Sequence, residues 1–192
     1  MSEKPIIFSA ESIAAILAGK KTQTRRVANR LPHCPVHGVD PVYSAGYLRC
    51  KGCDHFVSKP PYQPGDILYV KETWLRDEWG FQYKVLDNGQ IYYDDGSMKW
   101  CSPMYMPKAA ARLFLRVTDV RAERLQDITA SDAHDEGIEF RPFNRQFPHY
   151  QEWLIKDFHD LWDSLNAKRG YGWDTNPWVW VYMFEQIEKG AM

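Results

Sequence analysis

The stretch LAGKKTQTRR, Leu17 to Arg26, brings Lys20, Lys21, Thr22, Thr24, Arg25 and Arg26 together. Arginine can hold a phosphate through a planar fork and lysine can do so as a point charge. A lysine can also act as a base if burial or neighbouring cations lower its pKa. A threonine hydroxyl is a weak nucleophile at neutral pH and needs such a base. The simplest alternative is a solvated basic edge. A second chemical cluster reads Cys34-x2-His37-x12-Cys50-x2-Cys53. Two short chelating pairs of thiolate and imidazole suit tetrahedral zinc. Four protein ligands close the coordination sphere, so the expected zinc is structural and orders a loop without a core of its own. His33 and His55 are alternative ligands, and Gly38 and Gly52 sit where a knuckle turns its amides toward sulfur. Cys101 stands apart and reads as a core thiol.

The elements that must position these groups follow from local pattern. PIIF, residues 5–8, reads as a first strand. Ser9 is a suitable N-cap for a helix with Ile13, Ile16 and Leu17 on one face, and Gly19 is placed to end it. The basic run therefore begins just behind a helix C-terminus, where cations are mildly favoured. Residues 27–64 lack periodicity and read as a long loop or inserted module. A Pro64-Gly65-Asp66 turn leads into a strand from Ile67 to about Thr73, and Asn88-Gly89 reads as a hairpin turn. Leu113, Leu115 and Val117 alternate with Arg112, Arg116 and Thr118, the pattern of a strand with one wet face. Thr129 and Asp132 are spaced to cap a short helix. Trp153, Leu154, Phe158, Leu161, Trp162 and Leu165 recur at helical spacing and predict a core-facing helix ending near Gly170. NPWVWVYMFEQIE is apolar on both faces and reads as a central closing strand.

The 192 residues suffice for one domain carrying an insertion at 27–64. Twenty-four basic against twenty-five acidic residues leave a net charge of -1, which argues against a general nucleic-acid coat but allows a local basic patch. Aromatic residues reach 15%, with eight Trp, so many rings are buried or line a stacking surface. Trp74, Trp79, Trp100, Trp173 and Tyr105 are the stacking candidates. Trp74, which follows Glu72 at a strand end, is the preferred one. No stretch reaches the roughly 20 apolar residues of a membrane span. The amino terminus has no signal-peptide pattern, and the expected location is cytoplasmic.

Gly19, Lys21 and Arg26 fit the pattern Gly-x-Lys-x-x-x-x-Arg, placed after the first helix and before Pro64-Gly65-Asp66. With VKETW (70–74), FLRVTDVRAERL (114–125) and NPWVWVYMFE (176–185), the chain resembles the ASCH domain, a family of PUA-like β-barrels. Together these blocks look like the longer ASCH proteins often encoded in phages and prophages. The resemblance implies an α+β fold with a small barrel and flanking helices. It also implies a cleft beside the Lys/Arg segment for RNA or a modified nucleoside, with DNA as an alternative. One branch of the family hydrolyses N4-acetylcytidine, and Lys21 and Thr24 match its catalytic Lys and Thr. Arg116 stands where that branch carries its Glu, which leaves Glu72 on the preceding strand as the candidate carboxylate.

These readings imply three alternatives. The first is an N4-acylcytidine amidohydrolase using Lys21, Thr24 and Glu72. The second is an RNA- or DNA-binding module or ribonuclease using Lys21, Arg25 and Arg26 on phosphates and Trp74 on a base, with Lys20 as a further binding residue. The third is a zinc-stabilised phage adaptor.

Overall fold

The computed structural model describes residues 3–28, 41–53, 56–139 and 149–189. In chain order its regular elements are β1 (Glu3–Ile7), α1 (Ala10–Leu17), β2 (Gln23–Val27), β3 (Pro41–Ser44), β4 (Tyr47–Cys50), β5 (Phe56–Ser58) and β6 (Ile67–Lys71). There follow β7 (Trp74–Asp77), β8 (Gly80–Tyr83), β9 (Phe114–Arg124), α2 (Ala130–Asp135), α3 (Tyr150–Asn166) and β10 (Trp178–Ile187). The class is α+β, built on a five-stranded sheet in the order β1-β6-β9-β10-β2. Among the described residues, no helix is long and apolar enough to cross a membrane.

The chain divides into two compact units. The first holds Met1–Thr22, Pro64–Thr118 and Phe184–Met192, and the second holds Gln23–Gln63 and Asp119–Met183. In the first unit β1 runs parallel to β6, with Glu3 opposite Ile67 and Ile7 opposite Lys71. β9 pairs antiparallel with β6, placing Leu68 opposite Leu115. The Ser9 hydroxyl accepts a hydrogen bond from the Ser12 amide at 3.3 Å, as the N-cap reading requires. Ile13 and Ile16 are buried, and Gly19 adopts φ +69°, a left-handed geometry that disfavours any side chain. Ile67, Met106, Ala110, Ala111 and Phe114 form a core against which Trp74, Phe81 and Tyr83 pack.

The regular hairpin in this unit is β7–β8, pairing Trp74 with Tyr83 and Asp77 with Gly80. The Asn88-Gly89 turn forms as expected, with Gly89 at φ +81°, but closes only a single bridge between Val85 and Ile91. Cys101 is exposed rather than part of the core. Its amide donates to the Trp74 carbonyl at 2.7 Å, so the backbone of this residue carries its structural role.

In the second unit Thr129 and Asp132 form a full capping box on α2. Leu154, Phe158 and Trp162 of α3 are buried with Leu125, Ile128, Ala133, Val179 and Val181. Trp153, Leu161 and Leu165, expected in the core, are 46%, 39% and 56% exposed. The i, i+4 stripe at 154, 158 and 162 takes the sheet-facing position, and residues one position away along the helix rotate off it by about 100°. β10 lies inside the sheet between β9 and β2, and Val179, Trp180, Val181 and Tyr182 are all buried. The region read as a long loop contains a three-stranded antiparallel sheet, β3-β4-β5, with Pro41 opposite Cys50.

Candidate binding site

The basic run does not stay a loop. Gln23–Val27 becomes β2, pairing antiparallel with β10, so that Thr24 faces Tyr182, Arg25 faces Val181 and Arg26 faces Trp180. Successive side chains in a strand point to opposite faces. Gln23 and Arg25 therefore go one way, Thr24 and Arg26 the other.

On the first face the Arg25 side chain is fully buried. Its Nε and Nη2 donate to Glu123 Oε1 at 3.1 and 2.5 Å, and its Nη1 donates to Glu136 Oε1 at 3.2 Å. Asp132 Oδ1 lies 3.5 Å from Nη2, and the guanidinium sits 5.8 Å from the centre of the Phe158 ring. Arg121 joins the network through Glu123 Oε2 at 2.9 Å and Asp132 Oδ1 at 2.7 Å. Gln23 Nε2 also donates to Asp132 Oδ1, at 3.0 Å. A buried guanidinium is tolerated only when it is paired and hydrogen-bonded. Arg25, expected on a ligand phosphate, is engaged with carboxylates that tie β2 to β9 and α2. Burial works against the Asp132 charge. Hydrogen bonds from Thr129 and Gln23 and the charge of Arg25 outweigh it and hold the carboxyl well below the usual range.

The opposite face is aromatic. Tyr182 is wholly buried and meets the Tyr62 ring edge-on at 5.0 Å. Trp180 meets Tyr43 edge-on at 6.1 Å, and the Tyr43 hydroxyl donates to the Val120 carbonyl at 2.9 Å. Arg26 lies among these rings. Burial lowers its pKa, while Tyr62, Glu136 and Tyr182 favour its charge and Arg169 opposes it. Burial raises the pKa of the Tyr62 phenol, an effect that Arg26 partly offsets. Burial likewise raises that of Tyr182. Thr24, 4% exposed, sits on this face beside Arg26 and across from Tyr182. A guanidinium flanked by tyrosines and a threonine offers donors and flat walls together, the requirements of a planar ligand carrying oxygen acceptors.

In the first unit Lys20 is exposed, whereas Lys21 is 5% exposed with its Nζ 5.9 Å from the Phe8 ring centre. The amides of both lysines donate to the Ala15 carbonyl, at 2.8 and 3.1 Å, anchoring them to the end of α1. Glu72 is 1% exposed. Arg112 grips it in a fork, Nε to Oε1 at 2.9 Å and Nη2 to Oε2 at 2.8 Å. Arg112 also stacks 4.1 Å from the Tyr83 ring centre and bonds Asp87. Burial opposes the Arg112 charge, but Glu72 and Asp87 outweigh it and raise its pKa. Both carboxylate oxygens of Glu72 are thus occupied by Arg112. Arg116 of β9 pairs with Glu185 at 3.0 Å. Trp74, the preferred stacking ring, packs 5.7 Å from Phe81.

Cys34 and His37, like His33 and His55, lie outside the described residues. Cys50 is buried at the end of β4, Cys53 is exposed, and the Gly52 amide donates to Cys50 Sγ at 3.4 Å. An amide directed at sulfur favours the thiolate that zinc requires.

Tyr62, Tyr182, Glu123 and Glu136 were not singled out as site residues from sequence. The available signal was the period-2 alternation of β2. Its use requires knowing that Thr24 pairs with Tyr182 rather than with a neighbour one residue away.

No family model matches the sequence, and no curated protein matches it. Among solved structures, the chain is similar to an ASCH domain from Lactobacillus crispatus JV V101. That match has 12% identity and a TM-score of 0.44, covering 98% of this chain and 81% of the other. It is also similar to a protein from Enterococcus faecalis V583, at 10% identity and a TM-score of 0.45, covering 98% of this chain and 77% of that one. A third similar structure is a hypothetical protein, at 12% identity and a TM-score of 0.41, covering 97% and 100% of the two chains.

Proposed function

We propose that this chain binds a nucleobase-bearing ligand, an RNA or a modified nucleoside, on the face of β2 and β10 that carries Thr24 and Arg26. The supporting observation is the setting of Arg26, a guanidinium among Tyr62, Tyr182 and the cross-strand Trp180. Reduced hydration makes its attraction for an oxygen acceptor stronger than that of a surface arginine. Rings beside it supply stacking or edge contacts to a base, which single-strand binders use without strict sequence preference. Binding without bond cleavage is the preferred reading, because Glu72 is held by Arg112. The amidohydrolase reading keeps Lys21 as base, Thr24 as nucleophile and Glu72 as orienting carboxylate. It requires Arg112 to release Glu72.

The test is a fluorescence titration with cytidine and with short single-stranded RNA and DNA at low salt. Wild type should bind at least one of them, and Arg26→Met should weaken that binding about tenfold or more while keeping its circular dichroism spectrum. Absence of binding to all three overturns the proposal. Turnover of N4-acetylcytidine that is lost in Lys21→Ala would favour the hydrolase instead.

A structural zinc on Cys34, His37, Cys50 and Cys53 belongs to the same proposal. It would fasten the end of β4, and the Gly52 amide directed at Cys50 supports it.

A further inference from the structure

The two most exposed rings of the first unit lie in one stretch of chain. Trp79 is 82% exposed at the turn between β7 and β8, and Tyr93 is 88% exposed. Leu86, Ile91, Tyr92 and Met98 are exposed as well. The segment that follows Tyr92 returns to the hairpin. Cys101 and Trp74 exchange backbone hydrogen bonds of 2.7 and 3.3 Å, and the Tyr92 ring meets Trp100 at 6.0 Å. A ring left in water adds little burial to the fold. Single exposed apolar residues are ordinary, whereas a run of them on one small substructure marks an interaction surface.

The charge beside these rings indicates the partner. Asp77 and Glu78 precede Trp79, and Asp94 and Asp95 follow Tyr93. On residues 76–80 and 92–99 these carboxylates outnumber the cations Arg76 and Lys99, and the Arg76 guanidinium lies 5.5 Å from the Phe81 ring centre. Backbone amides fix the carboxylates in place. Asp77 Oδ1 accepts from the Trp79 amide at 2.8 Å, Asp94 Oδ1 from the Gly96 amide at 2.9 Å and Asp95 Oδ1 from the Ser97 amide at 2.9 Å. Hydrogen bonds from the Ser97 side chain and amide hold the Asp95 carboxyl below the usual range, so it is ionised at neutral pH. A nucleic-acid backbone would meet like charge here. A lysine or arginine side chain would meet a ring face and a carboxylate together, and both attract it.

We propose that the β7–β8 hairpin and residues 91–101 form a docking surface for a protein segment rich in arginine or lysine, with Trp79 and Tyr93 as its anchors. Tryptophan and tyrosine are the residues that most often carry the energy of such contacts. The surface belongs to the first unit, whereas the proposed base-binding residues belong to the second, so the two proposals stand or fall separately.

Full-length wild type is compared with the double variants Trp79→Ala/Tyr93→Ala and Asp94→Asn/Asp95→Asn by fluorescence anisotropy. The probes are a labelled peptide of alternating arginine and leucine, the same peptide with glutamate for arginine, and a labelled single-stranded RNA. Wild type should bind the arginine peptide and not the glutamate peptide, with an affinity that falls as salt rises. Each double variant should bind the arginine peptide about fivefold or more weakly. Both should melt within about 2 °C of wild type, because the replaced side chains are exposed. Absence of arginine-peptide binding at low salt overturns the proposal, and so does equal binding of the glutamate peptide. Unchanged affinity in Trp79→Ala/Tyr93→Ala also overturns it. RNA binding that this variant loses would assign the surface to nucleic acid, and a dimer in sedimentation that it loses would assign it to a second copy. Either result replaces the proposed partner. A melt several degrees lower for the same variant would make the rings structural and would overturn it as well.

Discussion

Replacing Arg25 by Met should unfold the second unit far more readily than replacing Arg26, one residue along the same strand. Arg25 has no exposed side-chain surface and contacts Glu123, Glu136 and Asp132. Without it, Arg121 still pairs with Glu123 and Asp132, while Glu136, only 6% exposed, loses the guanidinium that donates to it. Removing one partner of a buried ion pair typically destabilises by about 3–5 kcal/mol, because the other charge is left uncompensated. For a chain of this size each kcal/mol shifts the melting midpoint by about 2–4 °C, so Arg25→Met should melt about 6–20 °C lower. Arg26 lies on the opposite face and is less completely buried than Arg25, so its loss should move the midpoint much less. The assay is a thermal melt of both variants followed by far-ultraviolet circular dichroism, with urea unfolding as a second measure. An Arg25→Met midpoint within about 2 °C of wild type would refute the structural assignment. An Arg26→Met midpoint lower than that of Arg25→Met would reverse the division of the strand into two faces.

Two further outcomes follow from the same elements. The Asp132 carboxyl has its pKa depressed in the fold, so its stabilisation is present above its unfolded pKa of about 3.9 and is lost as pH falls through the folded value. Asp132→Asn should be less stable than wild type by about 1–2 kcal/mol at pH 7, a gap that narrows below about pH 4 in urea unfolding series. A gap unchanged down to pH 2 would contradict this. Purified protein should carry stoichiometric zinc, and chelation should speed amide exchange in β3–β5. Zinc-free protein with readily modified thiols at all four cysteines would remove that proposal.

Local chemistry made much of the fold legible. Ser9, the Thr129–Asp132 pair and Gly19 mark helix ends by interactions within a few residues of chain. The apolar run from Trp178 identified an interior strand because both faces needed burial. The extent of burial was harder to read. Trp153, Leu161 and Leu165 satisfy helical spacing as well as Leu154, Phe158 and Trp162 do. Only the surface opposite α3 selects between them.

The basic run shows the boundary most clearly. Residue type and spacing alone established that Leu17–Arg26 leaves a capped helix and carries donors suited to an anion or a base. The partners of each donor depend on residues far away in sequence: Glu123 and Glu136 for Arg25, Tyr62 and Tyr182 for Arg26, and Arg112 for Glu72. Strand register assigns adjacent arginines to opposite faces, and a shift of one residue would exchange them. Register is set by the long-range pairing of β2 with β10, so the tertiary structure decided which arginine holds the protein together and which faces the aromatic side.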